Sequence, residues 1–366
     1  MSIAEQWLAE PVLSWMKPGN ADSDVVLSSR IRLARNLSGI PFPNRADGKQ
    51  LAQVVTQVDD VIPELEKSGH QYAAIRLDSL NPLERFVLVE RHITSPGHVE
   101  EPCERSIILR DDAAVSILVN EEDHLRIQCM RPGLDLAEAY VNANSIDDML
   151  ESQLDFAYSE QLGYLTSCPT NIGTGLRASV MLHLPGLVLT KQIQRMVSAA
   201  TQLGMAVRGI YGEGTEASGN MFQLSNQLTL GYSEQEIVDN LTSVARQVVE
   251  QERGARGALL ADAGVSLTDR IWRAYGVLRF ARSISAQEAL ALLSEVRLGV
   301  DLGILDAVEA QVFNELLVTI RPHYLIKQYG KPEYDAAERD QLRARVIREK
   351  LAQASQTKTE QDGEGL

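Results

Sequence analysis

The chain has 366 residues, 44% hydrophobic and 23% charged, which is typical of a globular protein large enough for two domains. Its formal net charge of −15 argues against a general nucleic-acid-binding or anionic-membrane surface. Cys103, Cys129 and Cys168 are too few and too scattered for a disulfide framework or a CxxC metal motif. Neither a signal-peptide pattern nor an apolar run of about 18 residues is present, so we expect a cytoplasmic protein.

The first 255 residues mix strand and helix patterns. Only Glu121-Glu122-Asp123 separates two β-rich segments, a length suited to an antiparallel hairpin. Ser233 and Glu236 form a capping box ahead of an amphipathic pattern that ends near Gly254. Strands are predicted at 74–77, 106–110, 113–120, 124–130, 181–184, 206–212 and 221–231, and helices at 51–66, 145–162, 190–204 and 233–254.

Beyond residue 255 the patterns are almost entirely helical. Helices are predicted to begin at Ser266 and at the capping box Ser285 with Glu288, and to cover 304–320 and 333–353, with Pro322 ending the third. The polar residues 355–366 predict a disordered tail. The sequence thus predicts an α+β domain over 1–255, an all-α domain over 256–354 and a tail.

Arginines recur in unusual settings. Arg30 and Arg32 are two residues apart in LSSRIRLAR, so on a strand both point to the same face. The others are Arg126, Arg177 and Arg208. Together these planar, permanently charged donors would suit the oxygens of a triphosphate, although each alone is more typical of a surface or salt-bridge arginine.

Two segments carry candidate catalytic groups. Glu122 lies in the hairpin turn, and Glu213 lies between glycines in YGEGTE. Two carboxylates can hold the nitrogen edges of a guanidinium, and one can accept its proton. Cys168 precedes a proline in a turn and could equally be a buried small hydrophobe. The chain contains neither a P-loop nor the HRD and DFG motifs of Ser/Thr kinases.

Four segments, taken in order, resemble the guanidino (phosphagen) kinases. They are LSSRIRLAR, VNEEDHLRI, CPTNIGTGLR and VRGIYGEGTEA, and the resemblance covers roughly residues 24–255. It implies a mainly antiparallel sheet flanked by helices. Small-molecule guanidino kinases carry a helical domain before their SSR segment. SSRIR begins at residue 28 here, so we expect that domain to be absent. A helical domain follows instead, as in the bacterial protein-arginine kinases.

This resemblance implies ATP and Mg²⁺ as cofactors, with the ion held mainly by water and phosphate. Glu122 is implied as the base, Glu213 as a second group orienting the guanidinium, and Cys168 as its neighbour that tunes charge or position. His92 and Arg110 are alternative candidates for one further ATP contact. The implied ATP-binding residues are Ser28, Ser29, Arg30, Ile31, Arg32, His92, Arg126, Arg177, Ala178, Ser179, Val180, Met181, Arg208, Gly209, Ile210, Tyr211 and Gly212.

The C-terminal segment RDQLRA resembles a motif that forms an allosteric phosphoarginine pocket in the protein-arginine kinases. It places Arg339, Asp340, Arg343 and Ala344 in that role, although alone it would be an ordinary charged helix face. The resemblance further implies a homodimer, a heat-shock repressor and unfolded proteins as substrates, an activating zinc-finger adaptor and a Clp protease. Two alternatives are a small-molecule guanidino kinase and a non-catalytic phosphoarginine-binding regulator.

Overall fold

The computed structural model describes residues 12–17, 19, 22–210, 217–306 and 308–363, with side chains to residue 354. Eight strands form one antiparallel sheet in the spatial order β2-β3-β4-β5-β1-β8-β10-β9, and β6 and β7 form a separate small hairpin. The strands are β1 (Val26–Arg35), β2 (Tyr72–Arg76), β3 (Ser106–Arg110), β4 (Val115–Val119), β5 (Leu125–Pro132), β6 (Tyr158–Ser159), β7 (Gly163–Tyr164), β8 (Leu176–His183), β9 (Met205–Gly209) and β10 (Met221–Asn226).

Twelve α-helices are found in the described part of the chain. Seven of them precede β10, and the remaining five follow it, consistent with the predicted change to an all-helical segment. They are α1 (Gly48–Asp59), α2 (Ile62–Leu65), α3 (Pro82–Glu90), α4 (Pro96–Glu100), α5 (Leu136–Glu151), α6 (Pro185–Leu189), α7 (Ile193–Gln202), α8 (Glu234–Phe280), α9 (Ala286–Asp301), α10 (Ala310–Thr319), α11 (Pro322–Tyr329) and α12 (Ala336–Gly363). No helix among these residues is long and apolar enough to cross a membrane.

One face of the sheet packs into an apolar core. Ile31, Leu33, Ile127 and Val180 are at most 1% exposed and pack against apolar residues of α1, α5, α7 and the first half of α8. Because side chains alternate across a strand, the residues between them point to the other face. The core therefore fixes which residues of β1, β5 and β8 can reach a ligand.

Several local predictions are confirmed. The predicted hairpin is β4–β5, and β3 has the predicted bounds. Ser233 accepts a hydrogen bond from the Glu236 N–H at the start of α8, and Ser285 accepts one from Glu288 at the start of α9. The fold is α+β, with a sheet followed by helices, as expected.

Other boundaries were wrong. α5 ends at Glu151 rather than at 162, and Thr190 ends α6 instead of beginning a helix. Pro322 occupies the first turn of a further helix, α11, where its missing N–H is not needed. α12 continues to Gly363, so most of the predicted disordered tail is helical, since residues 355–363 contain no proline.

The predicted break near residue 255 lies inside α8. This 47-residue helix crosses the expected domain boundary and is kinked only at Ala263, where φ is −131°. Its midpoint is anchored by Arg256, which is buried and donates to Glu252 at 2.7 Å and to Asp301 of α9 at 3.2 Å. Glu252 in turn accepts the first N–H groups of α6 at 2.8 and 2.9 Å. These buried contacts join the sheet and the C-terminal helices.

A second buried ion pair fixes the end of β1. Arg35 donates three hydrogen bonds to the Asp147 carboxylate of α5, the shortest at 2.6 Å, and both side chains are at most 6% exposed. The guanidinium also lies 3.5 Å from the ring centroid of Tyr164 and donates to the Thr174 carbonyl. It thereby ties β1, α5 and the loop before β8 together.

We expect Asp147→Asn to lower the free energy of unfolding by about 3–5 kcal/mol, because the Arg35 charge stays buried without its anion. Urea unfolding followed by circular dichroism measures this change. Asp269→Asn breaks an exposed Arg273 pair and is the control that should change little. An Asp147→Asn protein as stable as the parent would contradict a structural role for the pair.

Candidate active site

Five arginines converge on the open face of the sheet. Arg30 and Arg32 lie on the same face of β1, with the core residue Ile31 between them, and Arg32 is directly opposite Arg177 of β8. Arg126 of β5 is opposite Ala34, and Arg208 lies on the edge strand β9. The antiparallel register thus brings together residues that are up to 178 positions apart in the sequence (30 to 208). The predicted cluster is therefore present.

Four of these arginines line a cavity of about 280 Å³. The Nε atoms of Arg32 and Arg177 are buried and have no hydrogen-bond partner among the described residues. Buried donors without partners are costly, so this arrangement suits an anionic ligand. The cavity is lined by Arg32, Ala34, Glu122, Arg126, Cys168, Thr170, Asn171, Gly175, Arg177 and Arg208.

The like charges also change proton affinity. Burial, followed by the neighbouring charges of Arg30, Arg126 and Arg177, holds the pKa of Arg32 well below its usual value. Burial, Arg208 and Arg126 likewise lower the pKa of Arg177. Binding of a polyanion would relieve this repulsion, since each opposite charge favours the protonated guanidinium.

The hairpin turn presents one of its three carboxylates to the cavity. Glu122 is 44% exposed and contacts Arg126 at 3.2 Å. Glu121 is held beneath it, paired with Arg126 at 2.8 Å and accepting the Ser95 hydroxyl at 2.5 Å. Asp123 is buried and accepts the Asn36 amide and the Ser167 N–H, so it fixes the turn to the loop that carries Cys168. The sequence alone did not separate these roles.

The two glutamates differ in proton affinity. Burial raises the pKa of Glu122, and the neighbouring Asp123 and Glu121 carboxylates add to it against the opposing charge of Arg126. For Glu121, burial is outweighed by Arg126 and the Ser95 hydrogen bond, which hold its pKa below the usual value. Glu122 is therefore the better proton acceptor of the pair.

Cys168 borders the same cavity. Its Sγ lies 3.0 Å from the Thr170 hydroxyl, at the start of a short 3₁₀ helix, Pro169–Asn171. The following turn requires glycine at Gly175, where φ is +64° and an added Cβ would lie 2.6 Å from the Ala34 carbonyl oxygen. Close packing of this loop on β1 holds Cys168 in the wall of the cavity that Glu122 also lines.

A smaller cavity of about 150 Å³ adjoins Arg30. It is lined by Ser28, Arg30, His92, Met130, Ser179, Val180, Met181, Ile210 and Gln223. Burial, with Arg30 and Arg321 nearby, lowers the pKa of His92 to about 3, so its ring is neutral. Arg110 lies elsewhere, in a bidentate pair with Asp112 at 2.8 Å for each bond.

Not every residue implied for ATP reaches these cavities with its side chain. Ile31 and Ala178 are fully buried in the core face, and Ser29 donates to the Gly133 carbonyl, because their strand positions alternate with those of the arginines. Val180 belongs to the same core while bordering the smaller cavity, and Gly209 pairs with Phe222 in the ladder. Tyr211, Gly212 and Glu213 lie outside the described residues.

The RDQLRA segment is on α12. Arg343 is buried and donates to the carbonyls of Ile320 and Ile284, and it pairs with Asp340. Ala344 is 1% exposed and Arg339 is only partly buried. Half of this motif therefore packs helices together. A separate cavity of about 350 Å³ lies along the same helix, lined by Arg282, Tyr334, Glu338, Gln341, Leu342, Arg345 and Arg348.

Sequence comparison agrees with this geometry. Residues 53–255 match the model for the ATP:guanido phosphotransferase C-terminal catalytic domain, and residues 264–362 match the McsB C-terminal domain of protein-arginine kinase. The protein-arginine kinase of Brevibacillus brevis is 52% identical over 348 residues, which cover 95% of this chain and 97% of the relative. That of Bacillus subtilis is 48% identical over 359 residues, 98% of each. The chain belongs to the protein-arginine kinase family. It is accordingly an ATP-dependent guanidino kinase.

Solved structures of this wider family share the fold. The crystal structure of lombricine kinase is 25% identical and superposes with a TM-score of 0.57, covering 68% of this chain and 72% of that one. The duplicated taurocyamine kinase from Schistosoma mansoni, with bound transition-state-analogue components, gives 0.58 at 24% identity over 72% of this chain and 39% of that one. The expected family and fold class are thus confirmed.

A buried histidine supports the Glu121 loop and gives a pH-dependent prediction. His98 hydrogen-bonds the Val119 carbonyl and the Thr94 hydroxyl, and burial lowers its pKa to about 4. The unfolded chain takes up a proton below about pH 6.5, whereas the folded chain does so only near 4, so stability is lost as the pH falls through this window. Between pH 7.5 and 5 this amounts to about 2 kcal/mol.

His98→Gln should remove that share of the acid sensitivity, because glutamine does not titrate. The measurement is urea unfolding at both pH values, for parent and variant. Equal losses of stability in the two proteins would show that His98 does not titrate as the structure indicates.

Proposed function

We propose that this chain transfers the γ-phosphoryl group of ATP to the guanidinium of arginine side chains in other proteins. The observation that carries the proposal is one cavity in which four arginines surround a single accessible glutamate, Glu122. Arginines suit the nucleotide phosphates, and the carboxylate suits a guanidinium. Family membership and the acidic net charge of −15, which favours basic partners, add support.

The nucleotide would lie along β1. Its phosphates would contact Arg32, Arg126, Arg177 and Arg208, and Arg30 would bridge toward the smaller cavity. The adenosine end would occupy that cavity against Ser28, Ser179, Met181 and Ile210. His92 is the better candidate for the remaining contact, since Arg110 is already paired with Asp112.

Mg²⁺ fits this site only as an ion carried by the phosphates. The carboxylates beside the arginines, Glu121 and Glu122, already contact Arg126, and Asp123 is buried in the turn. The one metal-ligand cluster among the described residues, His70, Asp111 and Asp112, includes the carboxylate that pairs with Arg110. When bound, Mg²⁺ would neutralise phosphate charge.

Catalysis would then depend on positioning and on one proton transfer. The guanidinium is protonated at neutral pH, so a nitrogen becomes nucleophilic only when Glu122 takes its proton. The N–P bond forms as the bond between the γ-phosphorus and the bridging oxygen breaks, and ADP leaves. Cys168 would contact the guanidinium from the opposite wall. The family resemblance assigns Glu213 a second orienting contact.

Glu122→Gln should lower kcat by about 10²–10⁴-fold while ATP still binds, since glutamine keeps the shape but accepts no proton. The assay is acid-labile label transfer from ATP to an unfolded arginine-rich protein, with ATP affinity measured by calorimetry. Glu121→Gln, which alters the neighbouring carboxylate, should retain more activity. Activity of Glu122→Gln within about threefold of the parent would exclude it as the base. Phosphorylation of free arginine alone would favour a small-molecule kinase.

The wider setting rests on the family resemblance. We propose a homodimer, and one face of α8 supports it, because Val265, Trp272 and Phe280 are 90%, 45% and 73% exposed at helical spacing. A heat-shock repressor and unfolded proteins would be substrates, a zinc-finger adaptor would activate the enzyme, and a Clp protease would degrade the marked proteins. These steps would take place in the cytoplasm and would make the enzyme part of a stress response.

We also propose that the C-terminal helices bind phosphoarginine and couple it to activity. Arg339 and Asp340 offer a cation and an acid one residue apart, but Arg343 is already bound to two carbonyls. Arg339 would therefore provide the main phosphate contact of the RDQLRA segment. The alternative position on α12 is the cavity that contains Arg345.

Arg339→Ala in a Glu122→Gln background should abolish phosphoarginine binding in a calorimetric titration, because the phosphate loses its only accessible cation in the motif. Arg345→Ala is the matched control on the same helix and should bind normally. The opposite pattern, loss with Arg345→Ala alone, would move the site to the neighbouring cavity.

A further inference from the structure

A row of apolar side chains projects from the segment after β10. Leu228, Leu230 and Tyr232 are 59%, 54% and 48% exposed, whereas Thr229 between the leucines is 3% exposed. Single exposed leucines are common on protein surfaces. Three large apolar residues at alternate positions, with a buried residue between the first two, form a row that one extended chain could contact.

The row stands on a fixed frame. The Thr229 hydroxyl hydrogen-bonds the carbonyls of Thr170 and Ile172, at 3.0 and 2.6 Å. The Asn226 amide donates to the Leu228 carbonyl at 3.1 Å. The backbone at Leu230 also packs closely on Gly173, since a Cβ added to Gly173 would lie only 3.0 Å from the Leu230 Cα. The apolar side chains are thus preorganised, which lowers the entropic cost of binding a partner.

This frame is continuous with the active site. A cavity of about 360 Å³ is bordered by Leu228 and Thr229 and shares Thr170, Asn171, Arg177 and Arg208 with the arginine-lined cavity. It therefore adjoins the loop that carries Cys168, through Thr170 and Asn171. The His92 cavity lies toward the Ser28 end of β1, and the arginine-lined cavity, which adjoins the Leu228 cavity, lies toward the Ala34 end. The adenosine end of the nucleotide and the apolar row would consequently lie on opposite sides of the phosphate-binding arginines.

We propose that Leu228, Leu230 and Tyr232 bind the apolar side chains that flank the target arginine in a protein substrate. This inference rests on the proposed function and adds a selectivity to it. Alternate residues of an extended chain are about 7 Å apart and point the same way, so two of them could contact Leu228 and Leu230, which flank the buried Thr229. Tyr232 follows the turn at Leu230–Gly231, where the φ of Gly231 is +86°, and adds a third exposed apolar side chain. A folded protein buries its apolar side chains, so this surface selects arginines in unfolded or locally extended segments.

The test compares two synthetic peptides, each with one central arginine. One has leucine and valine around the arginine, and the other has glycine and serine. Phosphoarginine formation from ATP gives kcat/KM for each peptide. The double variant Leu228→Ser/Leu230→Ser is compared with Val141→Ser on α5, a residue that is also 59% exposed but lines none of these cavities.

We expect the parent enzyme to prefer the apolar peptide by about tenfold or more, since burying one leucine side chain typically has at least that effect. The double variant should lose this preference through a lower kcat/KM for the apolar peptide alone. Its kcat/KM for the glycine-serine peptide and its KM for ATP should stay unchanged. Val141→Ser should behave as the parent.

Equal kcat/KM values for the two peptides in the parent, or a preference that survives in the double variant, would overturn the inference. So would a double variant whose oligomeric state changes in sedimentation while its preference does not, because the row would then be a contact between copies. Failure of the parent to phosphorylate either peptide or an unfolded arginine-rich protein would instead overturn the proposed function itself.

Discussion

The structure is organised around the electrostatic repulsion among five arginines on one face of a sheet. At least two of them, Arg32 and Arg177, have lowered pKa values because they are buried and lie beside other positive charges. Flexible loops would splay such charges apart. Here the arginines are held in place by the backbone hydrogen bonds that join β1 to β5 and β8 and by the apolar core on the other face of the sheet. The resulting positive field is available for a polyanion before any ligand arrives.

The acidic turn is positioned by contacts on every side. Ser95 holds Glu121, Asn36 and the Ser167 N–H hold Asp123, and Arg126 contacts both glutamates. Glu122 is left as the carboxylate that faces the cavity. The same contacts bring the Cys168 loop beside it. One partly exposed carboxylate and four arginines thus line the same cavity.

The C-terminal helices pack directly against the sheet region. α8 begins beneath the sheet and continues past the kink at Ala263 into the helical core. Arg256 ties this helix to α9 and, through Glu252, to the start of α6 just after β8. Leu27 of β1 and Met181 of β8 pack in the same cluster as the helical residues. This packing joins the helical core to the sheet.

Interactions between residues close in the sequence determined many of the helix starts, turns and strand faces of this protein. Caps at Ser233 and Ser285, the β4–β5 hairpin and the alternation of Arg30 with Arg32 depend on neighbours a few residues away, so they could be predicted. The tertiary structure alone decided what depends on distant partners. Strand register places Arg32 opposite Arg177. Ser95 binds Glu121 and Asn36 binds Asp123, which leaves Glu122 as the carboxylate that lines the cavity. Arg110 pairs with Asp112 and so is not available for the ATP contact. Burial of Thr229 turned Leu228 and Leu230 outward, because a side chain's direction depends on what the chain packs against.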